Sequence, residues 1–433
     1  MSSNFSMFGM PNDVKFCTKC VISNQRPNST IEFLAKDTAK KTGITMNDKF
    51  VCSACKYNDE KNIIDWKERE KQLIELCKKY KKKSGYDVVI PGSGGKDSGY
   101  TAHILKYKYG LNPLTVTWAP HLYTEIGRKN FDNWIKIGGF DNILFTPNGR
   151  LHKLLTKLAF KNLLHPFQPF IIGQKIIGPL IASKFKIPLI FYGENPSEYG
   201  NNPEDNKLPV MDKKFFSLTN LDNIHLSGLK LREIIEKYKF TLNDFQPYLP
   251  LENEKIDQNN IEVHHLGYYL KWDQQNAYYY SVENTGFKPN LERTEGTYSK
   301  YVSLDDKIDR FHFYTYFIKF GIGQATYDAS QEIRCGKISR EEGVMLVKKF
   351  DSEFPKKYFK EFLEYIDLNE IEFWETINRF RSPHLWTFDN KNQHWNLKKK
   401  VFDYDNFNLA ISINFFCCIK LKSFDLVNLI NFL

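Results

Sequence analysis

Two groups of residues in this chain have the types and spacing that chemistry needs. The first lies in Tyr86–Tyr100, YDVVIPGSGGKDSGY. Tyr86–Ile90 is a short apolar run rich in β-branched residues, as a buried strand would be. Pro91 and Gly92 break it, Ser93-Gly94-Gly95-Lys96-Asp97-Ser98 makes a loop of mostly small residues, and Thr101–Tyr109 is predicted to be helical, with Gly110 as its stop. A strand, a glycine loop and a helix in that order aim backbone N–H groups and a helix N-terminus at an anion. Gly94 and Gly95 let the backbone approach a phosphate closely. Lys96 adds a point charge, and Asp97 is placed to hold Mg²⁺ against the same phosphates. The second group is Cys17, Cys20, Cys52 and Cys55, two C-x₂-C knuckles. Four thiolates brought together in this way form the tetrahedron that Zn²⁺ takes in closed structural sites. The segment between the knuckles has few bulky apolar residues, so metal binding would supply folding energy that a core cannot.

The loop fits neither of two commoner templates. A Walker A loop needs Ser or Thr after its lysine, where this chain has Asp97, and a G-x-G-x-x-G fingerprint is broken at the same residue. The loop matches S-G-G-x-D-S and so resembles that of the PP-loop ATP pyrophosphatases. That resemblance implies cleavage of ATP between the α- and β-phosphates, with pyrophosphate held by Ser93–Ser98 and AMP passed to an oxygen of the substrate.

The elements that must position these groups can be read from the pattern. After the loop come Leu114–Trp118, Ile143–Phe145 and Ile187–Tyr192, short and β-prone, separated by the helical stretches Glu125–Ile137, Leu151–Leu164 and Gln174–Lys184. Alternating strands and helices predict βαβ units and a doubly wound parallel sheet, an α/β fold. Ligands bind at the carboxyl ends of such strands, so Glu194 and Asn195, which follow Ile187–Tyr192, are expected to face the loop and to touch nucleotide, substrate or ammonia. From about residue 226 the alternation fades. Leu229–Tyr238, Asp305–Lys319, Arg340–Phe350, Pro355–Asp367 and Glu370–Arg381 read as helices, and Ser339 with Glu342 forms a capping box. Val263–Tyr280 and Phe287–Tyr301 are dense in aromatics, which a sugar or base would suit but which core packing explains more simply. The expected organisation is a cysteine module over 1–60, a loop-bearing domain over 61–225, a mostly helical, aromatic-rich region over 226–408, and an apolar tail over 409–433.

The chain has 433 residues, enough for two or three domains, and a net charge of +10. The basic run around Lys78–Lys83 suits a helix C-terminus and does not require nucleic acid. The N-terminus lacks a basic-then-apolar secretory pattern, and no apolar run is long enough to span a membrane, so a cytoplasmic protein is expected.

Pieces spread over roughly 15–405 resemble the N-acetyl sugar amidotransferases, PP-loop enzymes of surface-polysaccharide and of pseudaminic and legionaminic acid biosynthesis. They are FCTKCVISNQRPN (16–28), VCSAC (51–55), PGSGGKDS (91–98), FYGENPSEYG (191–200), YYLKWDQQNAY (268–278), GFKPNLERTEGTYSKY (286–301), SLDDKID (303–309), FIKFGIGQATYDASQEIR (317–334) and ISREEGV (338–344). Gln324 stands where that pattern has a basic residue. The resemblance implies conversion of an acetamido sugar, free or nucleotide-linked, to its acetamidino form, with ATP, Mg²⁺ and structural Zn²⁺. No G-x-C-x-G nucleophile turn occurs and position 2 is Ser2, so ammonia is expected from a separate glutaminase subunit. The alternative is a tRNA thiolation enzyme using the same loop. That chemistry generally needs cysteines near the loop, and there is none between Cys77 and Cys335.

Overall fold

The computed structural model describes residues 6–37, 39–201 and 208–403. The tail expected over 409–433, with Cys417 and Cys418, lies outside the described residues.

A five-stranded sheet organises the chain: β1 (Val88–Pro91), β2 (Pro113–Trp118), β3 (Asp141–Phe145), β4 (Leu189–Tyr192) and, further on, β9 (Glu262–His265). All pairings are parallel and the order is β3-β2-β1-β4-β9. Residues alternate between the faces. Val88 and Ile90 of β1 and Leu189 and Phe191 of β4 enter one apolar cluster, while Val89 and Ile190 enter another. Both faces are therefore covered, which is why these strands read as continuous apolar runs. The Val88/Ile90 face is closed by α2 (Trp66–Tyr80), α3 (Lys96–His103) and α4 (Glu125–Lys136), through Leu73, Ala102, Phe131 and Trp134. The other face is closed by α5 (Gly149–Leu163) and α6 (Gln168–Phe185), through Leu151, Leu155, Ile177 and Ile181.

The sheet does not end where the alternation fades. Its fifth strand comes from beyond residue 226, so the loop-bearing sheet draws on both sides of the boundary at 225. Glu262-Val263-His264-His265 has one β-branched residue and no alternation of its own. Pairing with the open edge of β4 makes it a strand. Between β4 and β9 lie the two-residue strands β5 (Ser217–Leu218), β6 (His225–Leu226), β7 (Leu229–Lys230) and β8 (Leu251–Glu252), with α7 (Leu231–Tyr238) and α8 (Asn253–Gln258). Of the predicted helices, α6 starts at Gln168, six residues before the Gln174 read from the pattern, and runs through Pro179. The helix predicted over Thr101–Tyr109 starts at Lys96 and continues as a wider π turn over Ile104–Lys108.

Beyond β9, the short α9 (Leu266–Tyr269) leads to α10 (Gln274–Asn284), which packs on α3. The chain then becomes mostly helical, as expected: α11 (Asp309–Phe320), α12 (Gln324–Arg334), α13 (Arg340–Phe350), α14 (Phe359–Ile366) and α15 (Glu370–Arg379), followed by the hairpin β10 (Trp386–Asp389) and β11 (His394–Leu397). Their core is aromatic, with Phe311 stacked on Phe362 at 4.2 Å and Phe160 of α5 stacked on Phe373 at 5.2 Å. Ser339 and Glu342 form the capping box of α13.

The cysteine module ends in α1 (Ser53–Lys61), whose Lys61 makes a fully buried ion pair with Glu198 at 2.7 Å. α1 ends at Lys61 and α2 begins at Trp66, with a short break between them. Asp65 caps α2, accepting from the N–H groups of Lys67 and Glu68.

Candidate active site and metal centre

The sheet order reverses between β1 and β4, so the loops leaving their carboxyl ends open side by side. After β1 the chain turns through Ser93–Gly95 into α3, with Gly95 as the N-cap. The first-turn N–H groups of α3 have no acceptor within the helix and carry its positive end. Gly94 has φ +83°, and a Cβ there would lie 2.8 Å from the Asn130 carbonyl oxygen of α4. Gly95 is different: a Cβ on it would meet nothing nearer than 3.8 Å, because it faces open cavity. From behind, α10 braces the loop through Ser281 Oγ, which donates to the Lys96 carbonyl at 2.7 Å.

Lys96 is only 6% exposed, and its Nζ pairs with Asp97 Oδ2 at 2.5 Å. Asp97 Oδ1 is buried without a hydrogen-bond partner. Glu194 follows β4 and lines the same cavity as Ser93, Gly95 and Asp97. Burial raises its carboxyl above the ordinary range, Asp97 adds to the rise, and Lys96 opposes it. Tyr199 donates to Glu194 Oε1 at 2.6 Å. Asn195, expected beside Glu194 in the site, is buried instead, and its side chain accepts from Ser197 N–H at 2.9 Å to cap the turn Pro196–Tyr199.

Two cavities meet at this loop. The first, of about 610 Å³, runs along the ends of β1 and β4 past Pro91, Tyr192, Phe215 and Phe216, and includes Lys175 of α6. The second, of about 510 Å³, shares Ser93, Gly95, Asp97 and Glu194 with the first. Its far wall comes from α11 and α12, with Asp309, His312, Gln324, Asp328 and Gln331, and from Phe287 and Tyr301. Burial pushes Asp328 up to about 7, where Glu332 adds to the rise and a hydrogen bond from Thr297 opposes it. Burial also pushes Asp309 up to about 7. Gln324 donates to Ser303 Oγ at 2.9 Å while its Oε1 is buried without a partner.

The aromatic-rich segments divide. Tyr269 and Trp272 pack in the core beneath the sheet, whereas Phe287 and Tyr301 reach the second cavity. Reading the residues for chemistry had missed Asp309, His312, Asp328 and Gln331. Three of them stand in the stretches 303–309 and 317–334 quoted for the resemblance, where nothing local distinguishes a site residue from a helical one.

The thiols of Cys17, Cys20, Cys52 and Cys55 are buried, and all four sulfurs lie within 4.8 Å of one another. The donor set is that of a closed tetrahedral site and could hold zinc. Arg340 of α13 donates to the carbonyl oxygens of Cys17 and Cys20, and Ser53 Oγ donates to that of Gly200. The module is therefore fastened both to the C-terminal helices and to the turn that carries Tyr199.

Fold and site together define a doubly wound α/β protein with a glycine loop at the switch point, facing a helical region across a shared cavity. Residues 295–401 of that helical part match the family model described as LPS biosynthesis protein WbpG-like, C-terminal domain. No curated protein matches the chain. A solved structure described as a "predicted subunit of tRNA methyltransferase" from Methanocaldococcus jannaschii is similar at 17% identity, over 45% of this chain and 75% of its own, with a TM-score of 0.24. Among the described residues no helix is long and apolar enough to cross a membrane.

Proposed function

We propose that this protein is the ATP-dependent synthetase of an N-acetyl sugar amidotransferase. The observation that carries the reading is the shared floor of the two cavities. One phosphate-type loop serves both a nucleotide-sized cavity along the sheet and a second cavity walled by the WbpG-like domain. ATP lies in the first cavity with its β- and γ-phosphates on Ser93–Ser98, and the sugar lies in the second with its acetamido group toward Asp97 and Glu194.

The acetamido oxygen attacks the α-phosphorus. An O–P bond forms, the bond to the β-phosphate oxygen breaks, and pyrophosphate leaves with that electron pair. Ammonia then bonds to the activated carbon. The C–O bond to AMP breaks, AMP takes the pair, and the product is the acetamidinium. Lys96 and the N–H groups at the start of α3 are fixed in place before charge develops on pyrophosphate, which is where such donors help most. The unpartnered Asp97 Oδ1 fits a divalent cation, which would supply charge neutralisation for the phosphates. Across the cavity, Tyr301 and Phe287 suit the apolar face of a sugar ring and the carboxyls of Asp309 and Asp328 suit its hydroxyls.

Ammonia comes from a separate glutaminase. Burial pushes the Cys77 thiol up to about 12, Cys335 is raised as well, and among the described residues no cysteine lines either cavity. The absence of a thiol there also disfavours sulfur transfer. The test is AMP and pyrophosphate release with an acetamido sugar and ammonium. Sugar-dependent release supports the reading, and formation of ADP and phosphate contradicts it.

A further inference from the structure

A third, smaller cavity of about 170 Å³ lies under the cysteine module, between the turn joining α5 to α6 and helices α11 and α12. It is not part of the phosphate loop. It shares Asn28 and Ser29 with the first cavity, and Ile171, His312 and Tyr327 with the second. Five buried polar atoms in its wall have no hydrogen-bond partner: Arg26 Nε, Asn28 Oδ1, Glu32 Oε2, His165 Nδ1 and His312 Nδ1. Arg26 is 5% exposed and Glu32 is 9% exposed, so solvent does not satisfy them. Buried polar groups in folded proteins are nearly always paired, and a cluster of unpaired ones around one cavity marks the place of a small polar occupant.

We propose that this cavity admits ammonia, in its neutral form, to the reaction centre, an inference that rests on the amidation reading above. The wall selects by charge. Arg26, Lys41 and Lys319 outnumber the single acidic side chain, Glu32, so the wall disfavours a cation such as ammonium. A neutral molecule that both donates and accepts suits the unpaired set, accepting from Arg26 Nε–H and donating to Glu32 Oε2. Lys319 is an alkylammonium, and burial with the nearby Lys41 pushes it down to about 7. The same surroundings favour ammonia over ammonium, and only ammonia has the lone pair that attacks the activated carbon. The connection to both larger cavities brings it to where adenylate and sugar meet.

The experiment compares two steps in the full-length protein at fixed pH: sugar-dependent ATP–pyrophosphate exchange, which needs no ammonia, and amidation driven by ammonium chloride. Thr30 lies at the half-exposed rim of the cavity. Thr30→Trp is expected to raise the KM for ammonium about tenfold or more while exchange stays within about twofold. Thr30→Ser, which keeps the hydroxyl that donates to Glu32 Oε1 and fills no space, leaves both near wild type. Glu32→Gln, which keeps the shape, raises the KM for ammonium by about threefold or more without altering exchange. An unchanged KM for ammonium in Glu32→Gln and in a folded Thr30→Trp overturns the proposal and makes the cavity a structural water site. Absence of sugar-dependent exchange in the wild type overturns the amidation reading, and this inference with it.

Discussion

Lys96 is a buried cation among carboxylates, and its neighbours define what it does. Asp97 binds it directly, and Glu194 is held above its ordinary range by burial and by Asp97, with Lys96 opposing. Replacing Lys96 with Ala would remove the proposed phosphate ligand and the side chain that, with the Tyr199 hydroxyl, opposes the rise at Glu194. Lys96→Ala and Asp97→Ala are each expected to lower sugar-dependent pyrophosphate release by roughly 10²-fold or more with the fold retained. Wild-type turnover in both would remove the loop from the chemistry. Asp328 gives a pH-dependent outcome. Its carboxyl is pushed up to about 7 in the fold from the ordinary value of 3.8, so the folded state binds the extra proton between those values. Stability from this group is full below pH 4 and is lost as pH rises through 7. Asp328→Asn should therefore raise Tm at pH 8 more than at pH 5, by a few degrees, at roughly 2–4 °C per kcal/mol for a protein larger than a small domain. Equal shifts at the two pH values would show that Asp328 is already ionised. The loop residues were legible because six consecutive positions carry their own geometry. Asp309, Asp328 and His312 were not, because they become site residues only when α11 and α12 fold back across more than two hundred positions.

The glycines of the loop do different work, and the elements on either side explain it. Gly94 is pinned against α4 in a left-handed conformation, whereas Gly95 caps α3 and faces the cavity. Gly94→Ala should cost about 1–3 kcal/mol of stability, from strain and from the clash with the Asn130 carbonyl. Gly95→Ala should melt like the wild type yet lose pyrophosphate exchange, because its methyl occupies phosphate space. Thermal melting and exchange assays on the two variants check this, and a Gly95→Ala protein with full activity would mean that phosphate sits elsewhere. Four strands of the sheet were legible from their runs of Val, Ile, Leu and Phe. The fifth was not, because His264 and His265 take extended conformations only by pairing with Phe191 and Tyr192. Ends of helices were the weakest part of the reading. The start of α3 at Lys96, set by Gly95 as its cap, was hidden behind the glycine run.

At the scale of the whole molecule, the cysteine module is a strut rather than an appendage. Lys61 binds Glu198 Oε1 and the Trp272 carbonyl, Ser53 holds Gly200, and Arg334 of α12 donates to the Glu198 carbonyl. Protein purified without added metal should contain about one equivalent of zinc. Cys52→Ser or a strong chelator should lower Tm and weaken pyrophosphate exchange together, because Tyr199, which donates to Glu194, sits on the turn that the module supports. Exchange surviving intact in metal-free protein would show the strut to be dispensable. Purified alone, the protein should form product from ammonium and none from glutamine until a glutaminase is added, and glutamine-driven turnover by this chain alone would overturn the need for a partner.

The late position of β9 and α12 also bears on how the chain is made. Parallel sheets join segments far apart in sequence, and a ribosome delivers those segments in order. When Ser93–Ser98 emerges, the neighbour of β4 at Glu262–His265 and the wall at Gln324–Arg334 do not yet exist. At roughly 5–20 residues per second, the edge of β4 stays unpaired for about 4–15 s after it is made, and the loop waits about 10–50 s for the wall at Gln324–Arg334. Cys17, Cys20, Cys52 and Cys55 all precede β1 at Val88, so a metal held by them would give the growing chain one ordered unit before any strand of the sheet is made.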